Sequence, residues 1–62
     1  MKPKQADKLI EENKVAVLKH IKTQNEIKVK IIKRDRCLIY GSAGEVFERN
    51  DFEFITFCFK EN

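Results

Sequence analysis

Lys14-Val15-Ala16-Val17-Leu18-Lys19-His20-Ile21 is the stretch on which the fold turns, because two different elements can be built from it. Read with what precedes it, it completes a helix running from Pro3 to about Lys22, a segment with no interior Gly or Pro and rich in Lys, Glu, Ala and Leu, which lose little on entering a helix. At 100° per residue Leu9, Ile10, Ala16, Val17, His20 and Ile21 fall on one side, with Asn13 among them. Pro3 suits the first turn, where a missing N–H costs nothing. Val15 and Leu18 lie off that stripe. The alternative is therefore a shorter helix followed by a strand over 14–21. The Lys and Ala content and the length favour the continuous helix, which is the expectation taken forward.

Beyond Thr23-Gln24-Asn25 the period changes to two. Ile27, Val29 and Ile31 alternate with Lys28 and Lys30 in Glu26 to Lys33, and Arg36 to Tyr40 is β-branched or aromatic in character. Arg34-Asp35 fits a hairpin connection and Gly41-Ser42-Ala43-Gly44 a tight turn. Glu45 to Glu48 is a short third strand, Arg49-Asn50-Asp51 a turn, and Phe52 to Lys60 the last strand. The expected fold is α+β: one N-terminal helix on a three- to four-stranded antiparallel meander, as a single domain over residues 1–62. A small barrel of SH3 or Sm-like kind with an N-terminal helix is the runner-up.

The last strand carries Phe52, Phe54 and Cys58 on one face and Ile55, Phe57 and Phe59 on the other, so neither side is polar. One helix covers one face. Either a second copy covers the other, or a bulge near Phe54-Ile55 shifts the register so that a single chain buries the aromatics. The first account makes the protein a homodimer, with Tyr40, Phe57 and Phe59 as interface candidates. A chain of 62 residues also has a marginal core of its own, which adds to the case for a partner.

Hydrophobic residues make up 42% and charged ones 37%, which fits a folded chain rather than a disordered one. No apolar run is long enough for a membrane span and no secretory core follows Met1, so the expected location is cytoplasmic with no membrane partner. Net charge is +3, unevenly spread: residues 14–36 hold eight cations against two anions, and residues 37–62 hold two against five. The basic segment centres on Lys28, Lys30, Lys33, Arg34 and Arg36. On an extended strand Lys28 and Lys30 project to one side about 6.5 Å apart, suited to a polyanion such as RNA or DNA. Lysines that discourage edge pairing, or a solvated face, would look the same.

Catalytic chemistry has little to work with. His20 is the single histidine and sits on an apolar stripe; Ser42 is not in a nucleophile elbow; no Gly-rich phosphate loop is present. Cys37 and Cys58 with His20 lack the paired-cysteine spacing of structural zinc, and in a cytoplasmic chain such thiols are usually buried and reduced. Glu45, Glu48, Asp51 and Glu53 read as a solvated edge. No enzyme activity, metal or cofactor is expected. The functional expectation is a small regulatory or accessory protein that binds another protein, with nucleic-acid binding through the basic hairpin as the alternative.

The helix and small strands, with Gly44-Glu45-Val46 leading into Asn50-Asp51-Phe52, resemble the Sm-like RNA-binding family over about a third of the chain. The resemblance implies an N-terminal helix followed by a strongly bent five-stranded sheet. On this reading of the elements the chain stops where that family still needs two strands, and no functional residue is carried over.

Overall fold

The computed structural model of the protein describes residues 1–58. Helix α1 spans Pro3–Glu12, with Pro3 in its first turn. It buries Ala6 and Leu9 and ends at Asn13, whose φ of 58° is left-handed and whose N–H returns to the Leu9 carbonyl. Asn tolerates that conformation better than most residues, and it stops the helix there. The continuous helix to Lys22 is thereby corrected. Its second half is strand β1, Val15–His20, which buries Ala16 and Leu18 on one face and turns Val15, Val17 and Lys19 to the other.

The remaining elements are β2 (Glu26–Arg34), β3 (Leu38–Gly41), β4 (Val46–Glu48), a 3₁₀ turn at Arg49–Asp51 and β5 (Phe52–Phe57). Phe59 and Lys60, assigned above to the last strand, lie outside the described residues. The class is α+β as expected, but with five antiparallel strands rather than three or four, in the order β4-β3-β2-β1-β5. β1 to β4 form a meander, and β5 returns to pair with the far side of β1. The added strand is β1, the segment expected as the second half of the helix.

The bend follows from chain length. In a flat sheet β4 and β5 would lie four strand spacings apart, about 19 Å. The three residues of the 3₁₀ turn join them, and even fully extended such a link spans only about 14 Å. The sheet must therefore roll until its edges approach. Across that seam Phe47 of β4 meets Phe52 of β5 edge-on, with ring centroids 5.2 Å apart. The Met1 ammonium donates to the carbonyls of Arg49 (3.0 Å) and Phe52 (2.6 Å) at the same corner.

Inside the roll, Leu9, Leu18, Ile31 and Ile39 are completely buried, with α1 lying over β2. Each such side chain contributes about 1.5 to 3 kcal/mol. Gly41 is needed where β3 turns toward β4: a Cβ there would collide with the Glu45 carboxylate and come 2.7 Å from Val29 Cγ2. That close passage lets Glu45 Oε1 accept the Ala43 N–H at 3.0 Å, closing the turn.

Two bulges sort the apolar residues. In β5 the pairing passes from Val17 with Thr56 to Leu18 with Phe54, leaving Ile55 as the extra residue. Ile55 is 43% exposed, whereas Phe52, Phe54 and Phe57 all pack on the core, the last two rings 5.0 Å apart. The bulge alternative for the doubly apolar strand is thus the one present. In β2 the partners pass from Ile31 with Gly41 to Lys33 with Tyr40, leaving Ile32 outside at 49% exposure. A regular strand would put residues 55 and 57 on the same face and make them equivalent. We therefore expect Phe57→Ala to lower unfolding stability by about 2 kcal/mol and Ile55→Thr to change it by less than about 0.5 kcal/mol, measured by urea denaturation.

Candidate polyanion-binding face

β2 presents its polar side to solvent through Lys28 and Lys30, opposite the inward Val29 and Ile31. After the Ile32 bulge the alternation restarts one residue late. Lys33 therefore stays on the outer face, and Arg34 points in toward α1. In the pairing register, Lys28 stands opposite Val17, Lys30 opposite Val15 and Lys33 opposite Tyr40. Among the described residues none of these cross-strand partners is a carboxylate. The contrast is Lys19, flanked by Glu26 on β2 and Glu53 on β5.

Lys33 Nζ lies 5.0 Å from the centre of the Tyr40 ring, a distance at which an ammonium is attracted by the π-face. The Tyr40 hydroxyl donates to Asp35 Oδ2 at 2.7 Å. That hydrogen bond, helped by desolvation and by the negative charge of Asp35, pushes the phenol above its ordinary value of 10.0. The hydroxyl is thereby tied to Asp35, with the Lys33 ammonium over the ring.

Arg34 is committed elsewhere. Its Nε donates to Asp7 Oδ1 at 2.6 Å and its Nη2 to Asp7 Oδ2 at 3.1 Å, a two-pronged pair tying β2 to α1. Arg36 is exposed in the β2–β3 connection, and its carbonyl accepts from Arg49 Nη2 at 3.0 Å. Of the five basic residues singled out in the sequence, the structure brings Lys28, Lys30 and Lys33 together on one face and separates Arg34 from them. Of the interface candidates, Tyr40 is on this outer face, Phe57 is on the core, and Phe59 is outside the described residues.

The other candidates have local structural work. His20 ends β1 rather than lying on a helix. Its Nδ1 accepts the N–H groups of Lys22 (3.2 Å) and Thr23 (3.3 Å), and its ring stands edge-on to Phe52 at 5.0 Å. Cys37 is exposed and Cys58 half-buried, which corrects the expectation of two buried thiols. Among the described residues no group of His, Cys, Asp and Glu could hold a metal ion. An open hollow of about 370 Å³ between Lys2, Lys4, Gln5, Met1, Glu53 and Phe54 mixes both signs of charge and is not selective for either.

Sequence reasoning passed over Asp7 and Arg49. Arg49 Nη1 donates to the Met1 carbonyl at 2.6 Å and its Nη2 to Arg36, so one guanidinium joins the chain start, the β2–β3 connection and the seam. Burial lowers the Met1 amine below its ordinary 8.0, the Arg49 charge adds to this, and Glu53 opposes it. Arg49 is the first of only two cations in an otherwise acidic stretch, and that isolation is the signal that could have marked it.

No protein-family model, curated protein or solved structure matches the chain significantly.

The Arg34 hydrogen bond holds the Asp7 carboxyl below 3.8, with the charge of Arg34 assisting and desolvation opposing. A lowered acid means that the unfolded chain binds more protons in this range, so the pair's contribution is full above the ordinary value and is lost as pH falls through the folded one. We expect Asp7→Asn to be less stable than wild type near neutral pH, and the gap to close as pH drops below 3.8. Urea midpoints measured across the acid range check this.

Proposed function

We propose that this chain is a small non-enzymatic binding protein, of regulatory or accessory kind, whose working surface is the outer face of β2. The observation that carries the reading is the row of Lys28, Lys30 and Lys33 with no carboxylate opposite, set beside exposed Val15, Ile32 and the flat Tyr40 ring. Lysines that merely solvate a strand are commonly paired or scattered. Here, among the described residues, none of the three lysines forms an ion pair, and a row of unpaired cations attracts an anionic macromolecule. A binding role rather than a catalytic one is supported by His20, whose Nδ1 is occupied by two backbone N–H groups.

A test that separates the face from mere net charge compares two triple variants. Lys28→Gln with Lys30→Gln and Lys33→Gln should lose retention on a heparin column. Lys2→Gln with Lys4→Gln and Lys8→Gln, with the same charge change around α1, should elute close to wild type. Equal loss in both would mean that the face has no special role.

Homodimerisation is the second reading, on a different observation from the aromatic face first expected to drive it. Among the described residues β5 is an edge strand, bonded only to β1, and carries Ile55 outward with neither Lys nor Pro to discourage pairing. In sedimentation at micromolar concentration the wild type should then run as a dimer and Ile55→Lys as a monomer; a monomeric wild type removes this reading.

A further inference from the structure

We infer that the outer face of β2 is a track for one strand of nucleic acid, phosphates along the lysine row and bases toward Val15, Ile32 and Tyr40. This rests on the binding face proposed above and names its ligand. The row is carried by one strand. Lys28 and Lys30 are about 6.5 Å apart by strand geometry, and the Ile32 bulge is what keeps Lys33 in line, since strict alternation would have turned it inward. Phosphates about 3.4 Å apart along the axis of a duplex strand spread to about twice that when a strand is unstacked, which matches alternate residues of a β-strand.

Among the described residues β1 offers no second row for a second strand. On β1 the neighbouring outward positions are Val15, Val17 and Lys19, and Lys19 faces Glu26 and Glu53. A duplex or a lipid surface presents phosphates over an area and would gain from a broad basic patch. A single strand gains from one row with apolar surface beside it. Val15 is 38% and Ile32 49% exposed on that flank, and Tyr40 offers a ring whose attached cation can reach a phosphate next to a stacked base. An acidic peptide would use the lysines but would have no flat groups for the apolar flank to hold.

The experiment is fluorescence anisotropy with a labelled short single-stranded oligonucleotide over a range of salt, with the matching duplex, polyglutamate and phosphatidylserine vesicles as competitors. The single strand should bind and resist competition by the other three. Lys28→Gln with Lys30→Gln and Lys33→Gln should flatten the slope of log affinity against log salt by about two, at about 0.7 per lost phosphate contact. Ile32→Ser, a change at an exposed position, should weaken binding about threefold or more and leave that slope unchanged. Single Lys28→Gln, flattening the slope by about 0.7, serves if the triple variant does not fold. Absent binding, a slope unmoved by the lysine changes, or better competition by duplex, polyglutamate or vesicles overturns the inference. Should heparin retention still depend on the three lysines in that case, the binding face stands and only its ligand is wrong.

Discussion

Joining the two edges of the sheet by a three-residue turn is the constraint from which the shape of this protein follows. β4 and β5 are as far apart in strand order as the sheet allows, yet Arg49–Asp51 must connect them, so the sheet closes on itself instead of lying flat under a helix. Closing it produces the interior that so short a chain otherwise lacks: Phe47 and Phe52 touch across the seam, and Ile31, Ile39, Leu18 and Leu9 are sealed between the rolled strands and α1. The seam is where a rolled sheet is weakest, since no ladder of hydrogen bonds between β4 and β5 holds it. Arg49 and the Met1 ammonium supply bonds there, four between them, each to a backbone carbonyl. Charge-assisted bonds of this sort are worth more than neutral ones, provided both partners stay in place.

Rolling a sheet also requires its strands to bend, and a bulge bends the strand that carries it; the two here lie at Ile32 and Ile55. Each bulge places an isoleucine on the outside and resets which residues face in. In β5 the reset brings Phe57 onto the core beside Phe54. In β2 it sends Arg34 to Asp7 and keeps Lys33 beside Lys30. The same local irregularity that lets the fold close therefore decides the composition of the outer face, so the chemistry of that face and the curvature of the sheet are linked.

Charge is divided accordingly. The helix side balances its ions, with Arg34 paired to Asp7 and Lys14 near Glu12 at 3.7 Å. At one end of the outer face Lys19 sits between two glutamates, whereas Lys28, Lys30 and Lys33 have no acid as cross-strand partner among the described residues. Surface ion pairs add little to stability, so the arrangement matters less for folding than for the field the molecule presents.

Much of this was legible from residue order alone. The period of two in β2, the Gly41–Gly44 turn and the short β4 are local patterns, set by alternation of apolar side chains and by turn chemistry, and they appear where the sequence puts them. The uncompensated lysines were visible as a basic segment for the same reason. Residues 14–21 were not, because Lys, Ala and Leu favour a helix locally, while as the central strand β1 they gain hydrogen bonds to β2 on one side and β5 on the other, partners far along the chain. Off-stripe Val15 and Leu18 were the trace of that outcome. Which of two apolar faces of β5 is buried, whether Arg34 joins Lys33, and what Arg49 holds depend on bulges and on contacts between residues dozens of positions apart. Alternation counts only neighbours, and those choices were made by the closing of the sheet.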